Sequence, residues 1–250
     1  MRLFILTLVH LLLMTLLVAH CSNAESCEPV KIAVIDTGLD MSDSRFNHLC
    51  KAGSRNFAQD KNGIIHPTDL FDNHGHGTHV AGLIEKYAGS TNYCMMIYKY
   101  YSETATGAQN QKAMIKSIYE AIKNGAKIIN ISGGGPSFDT LEYFLIKLNP
   151  SVLFVVAAGN EGKNIDNSWS RYFPASYQLP NEIVVGAIDK NNRRAAFSNF
   201  GRNVSKWEVG TDVISTLPGH KTGSMQGTSQ ATAIYSGKLV ASHNNLCHIN

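Results

Sequence analysis

Charge is sparse in this chain: 16% of its 250 residues are Asp, Glu, Lys or Arg, the formal net charge is +3, and the Lys and Arg residues form no long run. That excludes a basic track for nucleic acid and a polybasic membrane patch, so partners must be read from sites rather than from charge. Internal repeats, low-complexity tracts and linkers are also lacking, and 44% hydrophobic content suffices for the core of a single domain. No close-spaced Cys or Cys/His pair suggests zinc. The Gly-rich loop Gly133-Gly134-Gly135 has the spacing of neither the P-loop nor the dinucleotide fingerprint, so no nucleotide is expected.

One long hydrophobic run is present, from Leu3 to Ala19, with Arg2 before it and the small or polar residues Ser22-Asn23-Ala24 after it. Residues 1–24 read as a signal peptide, with the mature chain starting near Glu25 and running through 250. A transmembrane anchor fits less well, because His10 interrupts the run and no basic stop-transfer cluster follows. A lipid on Cys21 would need a small residue before it, and His20 stands there. The expected location is therefore periplasmic or extracellular, without stable membrane insertion after signal removal. Loss of Cys21 leaves Cys27, Cys50, Cys94 and Cys247, enough for two disulfides in any of three pairings.

Past the signal, β-branched runs alternate with amphipathic segments, as in a parallel sheet flanked by helices. Lys31 to Ile35, Cys94 to Tyr98, Lys127 to Ile131, Val152 to Ala157 and Ile183 to Gly186 are nearly continuous in apolar residues, as strands buried on both faces should be. Between Gln111 and Lys123, Ile115, Ile118 and Ile122 recur at helical spacing, and Gly125 supplies a stop. The expected fold is a single doubly wound α/β domain with a mainly parallel sheet, whose functional groups gather at the carboxyl ends of the strands.

Three such ends carry chemistry. The strand Ile32 to Ile35 runs into Asp36; taken alone, an Asp at a strand end is more often a turn former than a catalyst. Asn73-His74-Gly75-His76-Gly77-Thr78-His79 places three histidines ahead of an apolar helical pattern; the metallopeptidase helix signature also needs a Glu beside the first His, and none is there. Gly227-Thr228-Ser229 precedes a small and apolar stretch, which would set Ser229 at a helix N-terminus, either as a capping residue or as a nucleophile beside free N–H groups.

Taken together these segments resemble the subtilisin-like serine proteases along almost the whole mature chain. Asp36 within Ile-Asp-Thr-Gly, His76 within His-Gly-Thr-His-Val-Ala-Gly and Ser229 within Gly-Thr-Ser look like that family's catalytic triad, in the family's order. Asn130 to Ser137 is similar to the family's substrate-lining segment, Ala157-Ala158-Gly159-Asn160 to its oxyanion-hole segment, and Ala196 to Gly201 and Ser215 to Gly219 to further family stretches. The resemblance implies a serine endopeptidase that hydrolyses polypeptides through an acyl-enzyme. His76 would be the base, Asp36 would hold its tautomer, and the Asn160 amide with the Ser229 N–H would bind the oxyanion. Ser132, Gly133 and Gly134 would pair with extended substrate, with Gly107-Ala108-Gln109 as the opposite edge, and Glu161 would either lend charge near the specificity pocket or be a solvated turn residue.

Departures from the family carry expectations of their own. Residues 25–30 leave no room for a pro-segment before the Asp36 strand, so control would fall to a separate inhibitor protein. Gln230 stands in place of the usual methionine and Ala233-Ile234 in place of the usual Pro-His pair, changes expected to weaken activity without touching the triad. The stretch from His79 to Cys94 is short for the family's calcium loop, so no required metal and no cofactor are expected. Two rival classes are a binding module that has lost catalysis and an esterase; the esterase would need a Gly-x-Ser-x-Gly elbow and a Ser, Asp, His order. Asn203-Val204-Ser205 matches a glycosylation sequon.

Overall fold

The computed structural model describes residues 28–243. The signal segment 1–24, Cys27 and Cys247 lie outside the described residues. The five apolar runs form parallel strands as expected, β1 (Val30–Asp36), β3 (Tyr93–Lys99), β4 (Ile128–Ile131), β5 (Leu153–Ala157) and β6 (Glu182–Ile188), and two strands without such a run join them, β2 (Arg55–Asn56) and β7 (Val204–Val209). They make one seven-stranded sheet in the order β2-β3-β1-β4-β5-β6-β7, every pair parallel. An antiparallel hairpin, β8 (Val213–Leu217) with β9 (Lys221–Met225), stands apart from it.

Among the described residues, four α-helices cover the sheet: α1 (His76–Ala88), α2 (Gly107–Lys123), α3 (Thr140–Lys147) and α4 (Thr228–His243). Alternation along β1 divides the core in two. Ile32 and Val34 join Val80 and Ile84 of α1 and Ala231 and Ile234 of α4 on one face. Ala33 and Ile35 join Ile118 of α2 and Ile146 of α3 on the other. Helices on both faces are what a strand apolar on both faces requires. The chain leaves β1 toward β3 on one side and later returns to place β4 on the other. This reversal opens a crevice at the carboxyl ends of β1 and β4, where an α/β sheet of this kind places its ligand.

Two local readings change. Helix α2 starts at Gly107 and not at Gln111, because Thr106 and Gln109 form a reciprocal capping box. Gly107-Ala108-Gln109 is thus the first helical turn and no extended edge for substrate. Its buried face is Ala113, Met114, Ser117, Ile118 and Ala121, so the isoleucine stripe lies only partly on the sheet side. Of the expected disulfides, Cys50–Cys94 is formed, tying the segment after β1 to β3 beside the Leu49–Met95 bridge.

Behind α3, two acids sit where charge is costly. Glu142 is 1% exposed, accepting from Tyr177 at 2.6 Å and from Gln111 at 3.1 Å. Glu182 accepts only from the Leu179 N–H at 3.0 Å, and the Oε1 atoms of both glutamates have no partner among the described residues. Burial, with the Glu142 charge adding to it, pushes Glu182 up to about 8 against an ordinary 4.5. Below pH 4.5 folded and unfolded chains both hold this proton. Between 4.5 and 8 only the folded chain holds it, so folding stability falls as pH rises through that window. Glu182→Gln is expected to flatten the slope, giving a higher unfolding midpoint than wild type at pH 8 and the same one at pH 4; a parallel pH profile for the two proteins would contradict this.

Candidate active site

At the crevice, Asp36 ends β1 with 3% of its surface exposed, and its Oδ1 accepts from the Thr37 N–H at 2.8 Å. The same oxygen lies 2.7 Å from Nδ1 of His76, the first residue of α1. A carboxylate oxygen only accepts, so Nδ1 carries the proton and Nε2 is left as the free base of the neutral ring. Burial works to lower the His76 pKa, but the charge and hydrogen bond of Asp36, with Asp72 behind, outweigh it and the net direction is upward.

A residue the motif reading passed over holds this pair in register. Asp72 is fully buried and accepts at Oδ1 from the Thr37 hydroxyl (2.8 Å) and the N–H groups of His74 (3.1 Å) and Gly75 (2.8 Å). At Oδ2 it accepts from the N–H (2.8 Å) and hydroxyl (2.7 Å) of Thr78. Thr37 in turn accepts from the Gly77 N–H at 2.8 Å. The end of β1 and the start of α1 are thus pinned through one carboxylate, in a place where Gly75 at φ 90° offers no side-chain cap. Gly77 is required there, because a Cβ would collide with the Gly38 carbonyl. The signal in the sequence was an acidic residue shortly before a helix start with Thr78 in its first turn, the composition of a helix N-terminus.

The three histidines diverge. His74 is exposed, with Nε2 3.8 Å from Glu103. His79 is fully buried and its Nε2 donates between the carbonyls of Val213 (3.1 Å) and Gly223 (3.2 Å), bracing the β8–β9 hairpin.

Ser229 is the second residue of α4, 7% exposed, and its hydroxyl donates to the Ser132 carbonyl at 2.7 Å. As the second helical residue it lies past the N-cap position. The Ser132 hydroxyl donates back to the Ser229 carbonyl at 3.1 Å and accepts from Asn130 at 2.9 Å, whose oxygen takes the Ser236 hydroxyl at 2.9 Å. This buried chain fixes α4 to the end of β4. Asn160 follows β5; its Oδ1 accepts from the Thr228 N–H at 2.8 Å and hydroxyl at 3.1 Å, which identifies Nδ2 as the donor end of the amide.

Gly133 and Gly134 run on from Ser132. A Cβ at Gly133 would strike the Tyr100 hydroxyl, and one at Gly134 the Phe173 carbonyl. Close packing against these neighbours is itself enough to require glycine, beyond keeping a substrate edge open. Glu161 is exposed and its Oε2 accepts from Asn199 Nδ2 at 2.6 Å, so its carboxylate is held in place.

Residues 28–245 match the subtilase family, and the chain belongs to that family. It is 34% identical over 215 residues to subtilisin amylosacchariticus of Bacillus subtilis subsp. amylosacchariticus, a match covering 83% of this chain and 54% of that protein. An intracellular serine protease of Paenibacillus polymyxa is 34% identical over 220 residues, covering 84% of this chain and 65% of its own. The chain thus spans about half to two thirds of the length of these relatives. Among solved structures, a cold adapted subtilisin-like serine proteinase superposes with a TM-score of 0.69 at 26% identity, covering 87% of this chain and 77% of that one.

The Asp72 network generates a stability prediction. Asp72→Ala strands several buried donors and should cost about 3 kcal/mol or more in denaturant unfolding, since each unsatisfied buried group costs about 1–3 kcal/mol. A loss under about 1 kcal/mol would show that the network does not hold the crevice.

Proposed function

We propose that this chain is a serine endopeptidase that cleaves polypeptides through an acyl-enzyme on Ser229, with His76 as base and Asp36 as its orienting carboxylate. The observation that carries the reading is the 2.7 Å bond between Asp36 Oδ1 and His76 Nδ1. It sets the tautomer in which Nε2 can take a proton, and membership of the subtilase family supports Ser229 as the nucleophile.

In this reading the Ser229 hydroxyl turns from the Ser132 carbonyl to His76 Nε2 when substrate binds, a rotation about one side-chain torsion. Attack on the scissile carbonyl moves the hydroxyl proton to Nε2, and the resulting imidazolium faces the Asp36 charge. The oxyanion is held by the Ser229 N–H and Asn160 Nδ2. The imidazolium then gives its proton to the leaving amine, and water repeats the cycle on the acyl-enzyme. Extended substrate pairs with Ser132–Gly134, and the Glu161 carboxylate favours a basic side chain next to the scissile bond. The chemistry is complete in these side chains and calls on no metal or cofactor. Export from the cell is part of the reading, supported by the Cys50–Cys94 disulfide. The bond from Ser229 to the Ser132 carbonyl favours a second reading, a subtilase fold kept for binding with its serine parked.

A fluorophosphonate probe separates the two. It should label Ser229 in the folded protein, in the presence of EDTA, and labelling should vanish in Ser229→Ala and His76→Ala. Its rate should rise with pH through a midpoint above the ordinary histidine value of about 6.5, because only neutral His76 acts as a base and Asp36 raises its pKa. Asn160→Ala should lower kcat by about 10²–10³, a magnitude carried over from the corresponding residue of subtilisin. Folded protein that resists the probe sinks the peptidase reading and leaves the binding one.

A further inference from the structure

The residue after Ser229 carries a buried amide that is poorly paired among the described residues. Gln230 is 1% exposed. Its Oε1 has no hydrogen-bond partner among the described residues, and its Nε2 reaches only the Met225 sulfur, at 3.9 Å. A thioether is a weak acceptor, so both ends of a buried amide go essentially unpaid. An apolar side chain of the same length would avoid that cost, so packing alone gives no account of glutamine here.

The direction in which the amide faces says what it is for. A Cβ built on Gly227 would lie 3.0 Å from Gln230 Oε1 and 3.4 Å from Asn160 Nδ2. The two amides therefore converge on the same glycine, no farther apart than the sum of those distances. Other groups nearby are already committed: the Gly227 N–H donates to the Gly210 carbonyl at 2.8 Å, and the Thr228 N–H donates to Asn160 Oδ1 at 2.8 Å. The terminal torsion of a glutamine is broad and roughly two-fold, and the only bond lost on turning it is the one to sulfur. Turning exchanges Oε1 and Nε2 and presents N–H donors on the Asn160 side.

We propose that Gln230 is a further catalytic residue, a second side-chain donor to the tetrahedral oxyanion, which turns its amide toward the charge as Ser229 attacks. This rests on the serine-peptidase reading and extends it. It also reverses the expectation that glutamine in place of methionine weakens the site: a donor that meets its acceptor only when the oxyanion forms stabilises the transition state and not the bound substrate.

Three variants test this on a peptide substrate, with the wild type first titrated at Ser229 by the fluorophosphonate. Gln230→Met keeps length and removes both donors. It should lower kcat by about 10-fold or more, within the range of a single oxyanion donor, with KM within about twofold. Its affinity for a peptide aldehyde should weaken by the same factor, and its unfolding midpoint should hold or rise. Gln230→Glu, which offers acceptors only, should fall further. In Gln230→Met, Asn160→Ala should cost more than it does alone, because each amide partly covers for the other. Undiminished kcat in Gln230→Met, or a loss shared equally by substrate and aldehyde binding, overturns the proposal while the peptidase reading stands. If the wild type is not labelled at Ser229, both fall together.

Discussion

The hydrogen bond between Asp36 and His76 joins the end of β1 to the first residue of α1, and most of the crevice is arranged around keeping these two groups in contact. A carboxylate with 3% exposure is costly to keep ionised. Here the Thr37 N–H and the imidazole share the charge, and behind them Asp72 collects five donors at the helix entrance. The two buried aspartates make separate demands: one orients the His76 ring, the other holds the backbone that presents it. Neither could be exchanged for an apolar residue without leaving oriented donors stranded.

The sheet supplies the second half of the site by topology. Because β4 lies against β1 on the side opposite β3, the loop after β4 opens beside Asp36, and the Ser236–Asn130–Ser132–Ser229 chain clamps α4 onto it. The next strand, β5, ends at Asn160, whose oxygen is bound by Thr228 just ahead of the serine. Ser229, His76 and Asn160 thus come from separate ends of one sheet and from the two helices that pack on the same face, an arrangement that, in the proposed reaction, limits reorganisation.

The strands and the site motifs were legible in the sequence for one physical reason. Strands buried on both faces must be apolar throughout, so Ile32 to Ile35 and Leu153 to Ala157 stand out from their surroundings, and the polar residues that end such runs are conspicuous. Less legible was whatever depended on small or polar groups facing inward. Helix α2 turns Ala113, Ser117 and Ala121 to the sheet beside Ile118, so its isoleucines marked only part of the buried face, and its start was set by the Thr106–Gln109 capping box and not by apolar spacing. The short edge strand β2 carries no apolar run at all. Asp72 was hard to single out because three of its five donors are backbone N–H groups, which leave no trace in composition, and the hydroxyls of Thr37 and Thr78 read equally well as ordinary turn and helix-start residues. Gln230 was visible as a departure, but only its position against Gly227 and Asn160 gave that departure a meaning.

Formation of a covalent acyl group on Ser229 is the step on which the account turns, and acid-quenched mass spectrometry during turnover of a peptide ester reads it directly. The expected result is a chain heavier by the acyl group, with the added mass on the fragment containing Ser229 and absent in Ser229→Ala. Product release with Ser229 unmodified, or an acyl group found on another residue, would contradict it.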